Sequence, residues 1–276
     1  MVTSVAVKAS PQGVPGALSD PTRVSAEMLS FPGAGGTEVN GYLARPADAA
    51  SHPGMIVIHE AGGLNEHIQD ICNRLANIGY VALGVDLYTR EGGPPPSGDM
   101  EAIMARLFSM SDATAVGDLE GAADHLRSLD GVTGRVGCIG FCMGGRYSLL
   151  FACASDRLNA VVDCWGGFAD RATPDDPSTP ERPTPPLELV AEQLDCPLLA
   201  AVGAEDHNPS PELAARLREL AGSSPAARRG EEVKVDVYDE AGHAFFADYR
   251  PTYRPEAAAK LWAEVVPFLH RHLQAG

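Results

Sequence analysis

The chain is predicted to be an α/β protein, with a mostly parallel central sheet covered by helices on both faces. Three observations carry that prediction. Short apolar runs alternate along the chain with stretches of helical periodicity, as where Met55-Ile56-Val57-Ile58-His59 is followed by Ile68, Ile71, Cys72, Leu75 and Ile78. The run from Met55 is apolar at consecutive positions, which marks a strand buried on both faces, the usual state in a parallel sheet. A second apolar run, Arg135-Val136-Gly137-Cys138-Ile139, turns abruptly through Gly140-Phe141-Cys142-Met143-Gly144-Gly145 into a stretch with the composition of a buried helix. Strands alternating with helices imply βαβ units.

In chain order, residues 1–32 are rich in Ser, Pro, Gly and Ala and are expected to form an N-terminal arm over a single domain spanning 33–276. Glu38 to Ala44 alternates as a strand does, and Arg45-Pro46 ends it. Met55 to His59 is the first buried strand, followed by the loop Glu60-Ala61-Gly62-Gly63 and a helix. Tyr80 to Val85 is the next strand. A loop with three consecutive prolines, Pro94 to Pro96, leads to helical patterns around Met100–Met110 and Asp112–Leu129. After the strand and helix around Cys142, Ala160 to Cys164 reads as a short strand. The proline-rich stretch Trp165 to Asp195 is expected to be a lid or surface excursion. Pro197 to Gly203 is a strand, Pro211 to Ala221 a helix, Val233 to Tyr238 a strand, and Pro255 to Leu273 a closing amphipathic helix. No internal repeat is visible.

Composition narrows the function. At 276 residues the chain can bury a sizeable core, and its formal net charge of −16 argues against nucleic acid and anionic membrane surfaces as partners. No stretch of about 18 apolar residues is present to span a bilayer. Met1 to Lys8 lacks the basic and apolar regions of a signal peptide, so a cytoplasmic location is expected. The six cysteines include no C-x-x-C pair, which sets aside zinc-ribbon and thioredoxin-type chemistry; Cys142 reads as reactive and the other five as structural.

The segment Gly140-Phe141-Cys142-Met143-Gly144 is a nucleophile elbow, G-x-S-x-G, with cysteine in place of serine. Glycines flank such a nucleophile because the neighbouring backbone crowds out side chains, and the nucleophile's own φ and ψ are strained. The thiol then stands at a helix N-terminus, where free N–H groups favour a thiolate. A buried structural cysteine beside a glycine-rich helix start is the alternative. In the chain order nucleophile, acid, histidine, the acid is expected at a carboxyl-end loop following the strand after the elbow unit, where Val202-Gly203-Ala204-Glu205-Asp206 points to Asp206 over Glu205 and Asp195. A capping or turn role is the other reading of Asp206. Histidine follows the last strand, so His243 in Ala241-Gly242-His243-Ala244 is preferred over His52, His67, His125, His207, His270 and His272. His243 Nε2 would take the thiol proton while Asp206 holds Nδ1–H. The backbone N–H of Met143 and that of Ala61, or of Gly62, are the expected oxyanion donors.

With these residues in place the chain resembles the dienelactone hydrolase family, the carboxymethylenebutenolidase-like α/β-hydrolases. The matching segments are Val57 to Leu64, Gly79 to Ala82, Asp86-Leu87-Tyr88, Gly137 to Gly145 and Gly242 to Phe245, within a resemblance running from Glu38 to Leu273. The resemblance implies the α/β-hydrolase fold and a cofactor-free, metal-free hydrolase that opens an enol-lactone or small ester through a thioester. A monomer or small homo-oligomer acting on a small-molecule lactone or ester is expected. The resemblance also implies that Glu60 helps activate the thiol when substrate enters, for which a carboxylate that only pins the loop is the alternative. Two arginines hold a substrate carboxylate in the family. Arg90 matches the first by position, whereas Ala247 occupies the place of the second, with Arg250 and Arg254 nearby. That departure leaves open a general carboxylesterase or thioesterase of different substrate. A non-catalytic ligand-binding homologue and a redox-sensing thiol protein using Cys138 are the competing classes.

Overall fold

A computed structural model describes residues 2–170, 181 and 185–274. Met55, Ile56, Val57 and Ile58 are all 0% exposed, and their strand lies at the centre of a sheet that has nine strands among the described residues. Each fully buried side chain of this size contributes about 1.5–3 kcal/mol through removal from water.

The strands are β1 (Thr3–Val5), β2 (Val24–Pro32), β3 (Glu38–Pro46), β4 (His52–Ile58), β5 (Val81–Val85), β6 (Val132–Phe141), β7 (Ala160–Cys164), β8 (Leu198–Gly203) and β9 (Val233–Tyr238). Their spatial order is β1-β2-β3-β5-β4-β6-β7-β8-β9. The pairs from β1 to β5 are antiparallel, and those from β5 to β9 are parallel. In register, Ile58 pairs with Gly140 and Gly140 with Asp163, so the parallel strands finish near one level. The loops after β4, β6, β7, β8 and β9 therefore open on the same edge of the sheet.

The helices are α1 (Glu66–Asn77), α2 (Met100–Ser109), α3 (Asp112–Ser128), α4 (Met143–Ala154), α5 (Pro186–Gln193), α6 (Pro211–Gly222), α7 (Pro225–Arg228) and α8 (Pro255–Leu269). Side chains of Asn65, Asp99, Ser111 and Ser210 accept N–H bonds at the starts of α1, α2, α3 and α6, which supplies acceptors the first turn lacks. Alternation along β4 divides the core in two. Ile56 and Ile58 pack with residues of α2 to α6. Met55 and Val57 pack with Ile68, Ile71 and Leu75 of α1 and with Leu261, Val265 and Phe268 of α8. Among the described residues no helix is long and apolar enough to cross a membrane.

Two expectations need correction. The stretch 1–32 is not only an arm over the surface: it supplies β1 and the nine-residue β2, which pairs with β3 along its whole length. Val24 belongs to the α1 side of the core, whereas Leu29 and Phe31 belong to the other. That alternation is a strand signal that the Ser, Pro and Gly of residues 10–22 obscured. The excursion expected from Trp165 to Asp195 contains α5, which buries Leu187 and Val190. The rest of its proline-rich centre, 171–180 and 182–184, lies outside the described residues.

Candidate active site

Cys142 stands between β6 and α4 with φ 55° and ψ −114°, outside the regions an L-residue prefers. Its N–H is held by the Cys164 carbonyl at 3.0 Å. The two flanking glycines are steric requirements. A β-carbon on Gly140 would collide with the Gly144 carbonyl, and one on Gly144 with the Ile58 carbonyl. The strand-to-helix turn is thus tight enough to lift a partly exposed thiol to the start of α4, while the other five cysteines are buried.

His243, in the loop after β9, lies between Asp206 and Cys142. Its Nδ1 is 2.8 Å from Asp206 Oδ2. Burial alone would lower the pKa of this ring, but hydrogen bonding to Asp206 and Cys142, together with their charges, outweighs it and raises the value to about 10. Asp206 is buried beyond the end of β8; its second oxygen accepts the Asn208 N–H at 2.9 Å. The structure therefore brings together the three side chains predicted from spacing and chain order.

Glu60 is buried in the loop after β4, where it accepts a bond from the Tyr249 hydroxyl and another from Arg250 Nη2 at 2.7 Å. Arg250 Nε also donates to the Tyr249 oxygen at 3.0 Å, and its guanidinium lies 5.3 Å from the centre of the Tyr249 ring. Burial and the Glu60 carboxylate raise the Tyr249 pKa. For Arg250, burial opposes the proton but Glu60 prevails, so its pKa rises. Tyr249 is 52% exposed, so the phenol and the guanidinium form an outer cover over a buried carboxylate. Asp248, which separates Arg250 from the histidine in sequence, is bound to Arg74 and His67 instead.

The two loops expected to supply the oxyanion donors are tied to each other through Tyr88. Met143 is the first residue of α4, where a helical N–H has no intrahelical acceptor. The Tyr88 hydroxyl is 3.4 Å from both the Ala61 carbonyl and the Met143 sulfur, linking the two loops. His59 braces the same region. Its Nε2 accepts the Leu87 N–H at 3.1 Å and its Nδ1 lies 2.7 Å from the Glu60 carbonyl, an arrangement that puts the ring proton on Nδ1. Burial lowers the His59 pKa, so it stays neutral.

Arg90 is not brought to this cluster. Its guanidinium is bound to the buried Asp118 of α3 and to the Ala34 carbonyl. Position in sequence placed Arg90 on the correct loop but could not reveal that Asp118, also bonded to the Ala34 N–H at 2.8 Å, would draw it aside. Tyr249 and Tyr88 were missed because neither carries a spacing signature; Tyr249 is marked only by standing next to Arg250. Asp163 was missed as well. It is buried at the end of β7, accepts the Gly166 N–H at 2.9 Å, and burial raises its pKa to about 7. Among the described residues no group of three or more His, Cys, Asp or Glu side chains could hold a metal ion.

The strand order, the elbow and the loops converging on it define an α/β-hydrolase of the carboxylic ester hydrolase class. The dienelactone hydrolase family matches residues 39–273, and the chain belongs to that family. Among its relatives, a Salmonella typhimurium protein named "Putative carboxymethylenebutenolidase" is 32% identical over 251 residues, 90% of this chain and 88% of that protein. A Bradyrhizobium protein named "Probable 2-oxo-3-(5-oxofuran-2-ylidene)propanoate lactonase" is 30% identical over 233 residues, 84% of this chain and 89% of the other. A crystal structure named as a "Putative Dienelactone Hydrolase" from Klebsiella pneumoniae superposes with a TM-score of 0.80 at 29% identity, covering 90% of this chain and 99% of that one. The chain is thus a dienelactone hydrolase-like hydrolase acting on a small molecule.

Proposed function

We propose that the chain hydrolyses a lactone or small ester through a thioester on Cys142, with His243 and Asp206 completing the reacting set. The observation that supports this most is His243 held at 2.8 Å by Asp206 beside a thiol on a strained elbow. Its bonds to Asp206 and Cys142 raise the ring to about 10, which makes it a strong enough base to take the thiol proton. The sulfur attacks the acyl carbon, and the developing oxyanion is met by the N–H groups of Met143 and Ala61. The C–O bond to the alcohol breaks, and the His243 proton passes to the leaving oxygen. Water, losing a proton to His243, attacks the thioester carbonyl. The C–S bond then breaks, yielding the acid, and the proton on His243 returns to the sulfur. In a lactone the acid and the alcohol remain in one molecule.

Glu60 and Arg250 fit a substrate-dependent step. Glu60 is held by both Arg250 and Tyr249. A substrate carboxylate competing for Arg250 would release Glu60 as a second proton acceptor for Cys142. The names of the relatives point to unsaturated lactones bearing a carboxylate.

One observation favours a second reading, an esterase for neutral small esters. Arg90, expected to share the carboxylate, is committed to Asp118, which leaves Arg250 alone in that role. A panel of lactones and small esters, each with and without a carboxylate, tests both readings against wild type, Cys142→Ala and His243→Ala. Loss of all hydrolysis in both variants with preference for carboxylated lactones supports the first reading. Loss with preference for neutral esters supports the second, and retained turnover in both variants overturns the mechanism.

A further inference from the structure

We propose that Asn208 is a positioning residue for Asp206, tying the loop after β8 to the loop after β7 so that the carboxylate is held square to His243. The inference rests on the reading of Cys142, His243 and Asp206 as the reacting set, and it adds a residue that does not touch substrate.

The two oxygens of Asp206 have different partners. Oδ2 faces His243 Nδ1 at 2.8 Å, and Oδ1 accepts the Asn208 backbone N–H at 2.9 Å. The second bond stops the carboxylate from rotating about its own axis, so the direction of Oδ2 depends on where the Asn208 backbone is kept. That backbone is kept from outside its own loop. The Asn208 side-chain oxygen accepts the N–H of Phe168 at 2.9 Å. The loops are also in contact at Gly167, where a β-carbon would come within 2.9 Å of the Asn208 carbonyl oxygen.

Phe168 is a sound anchor because it is held twice. Its φ of 54°, like the 46° of Trp165, is costly for a non-glycine residue and persists only where neighbours impose it. Its carbonyl accepts a bond from Arg146 Nε at 3.1 Å. Arg146 belongs to α4, one helical turn beyond Cys142, and its guanidinium is fixed by two bonds to Asp112 at 2.6 and 3.0 Å. A circuit therefore runs from Cys142 along α4 to Arg146, across to Phe168, through Asn208 to Asp206, and by His243 back to Cys142. It links nucleophile and acid without passing through the strand pairing. The Phe168-to-Asp206 part of it depends on one replaceable amide.

The test compares Asn208→Ala, Asn208→Gln and Asn208→Asp with wild type and Cys142→Ala, using p-nitrophenyl acetate from about pH 6 to about pH 10. Alanine removes the tie. Glutamine keeps an acceptor but displaces it by one methylene, so it serves even where the alanine variant fails to fold. Aspartate can still accept the Phe168 N–H. Both Asn208→Ala and Asn208→Gln should lose about tenfold in kcat with KM within about twofold, because misplacing a reacting group by under an ångström costs that much or more. Their alkaline limb should move to lower pH, since His243 loses part of its oriented carboxylate. Asn208→Asp should recover kcat to within about threefold of wild type, with the limb restored. Unchanged kinetics in the glutamine variant, or a loss confined to stability and KM with the limb unmoved, overturns the inference. Wild-type rates in Cys142→Ala would instead overturn the reading on which it rests.

Discussion

Replacing Asp163 by asparagine should stabilise the protein progressively, relative to wild type, as pH rises toward neutrality. Asp163 is buried under the start of α4 and its pKa is raised from 3.8 to about 7 by burial, with the Gly166 N–H only partly offsetting this. The unfolded chain gives up this proton near 3.8, while the folded chain keeps it until about 7. The folded state therefore binds more protons across that window, and stability falls as pH rises through it. Between about pH 5 and pH 7 the loss is two pH units at about 1.4 kcal/mol each, or about 3 kcal/mol. Asparagine keeps the oxygen that accepts the Gly166 N–H and carries no charge. The stability difference between Asp163→Asn and wild type should thus shift by about 3 kcal/mol in favour of the variant between about pH 5 and about pH 9. Urea denaturation followed by the fluorescence of the nearby Trp165 measures it. A difference that does not change with pH, or that grows against the variant as pH rises, would refute the reasoning.

Other perturbations test separate links. Gly144→Ala should be the more damaging of two small changes, costing several kcal/mol or preventing folding, because its methyl meets the Ile58 and His59 carbonyls; Gly222→Ala, with nothing within 4 Å of its new carbon, should leave the melting temperature nearly unchanged. Arg250→Gln should cost about 1–2 kcal/mol in denaturation, less than a fully buried pair would, because the guanidinium is partly exposed while Tyr249 still holds Glu60. Arg90→Ala should lower stability by about 1–3 kcal/mol by depriving Asp118 of a charged partner, while KM for carboxylated and neutral esters should change by the same small factor. Asp206→Asn should move the alkaline limb of kcat/KM below the wild-type value near pH 10, since the carboxylate is one of the groups that raises His243.

What the sequence revealed and what it hid have physical causes. β4 was legible because burial on both faces demands an uninterrupted apolar run, and Met55 to Ile58 are all fully buried. The elbow was legible because its geometry excludes side chains at Gly140 and Gly144, leaving a mark in residue type. Asp206 and His243 followed from topology, since acids and bases at the carboxyl edge must come from loops after particular strands. β2 was hidden because its alternation lies beside a segment with the composition of a coil, and its register depends on β3. The destinations of long side chains were also hidden. Arg90 and Arg250 both occupy loops at the sheet's carboxyl edge, yet one ends on Asp118 and the other on Glu60. Spacing along a chain does not encode which carboxylate a five-bond arm will reach. The Asn208 link is of the same kind, a contact between two loops about 40 residues apart.

The most direct test of the mechanism is acid-quenched mass spectrometry of the enzyme turning over an activated ester. An acyl group should appear on the peptide carrying Cys142 within one turnover, vanish as the ester is exhausted, and persist longer in His243→Ala. Continued turnover with the acyl group on another residue, or in Cys142→Ala with no covalent species at all, would contradict it.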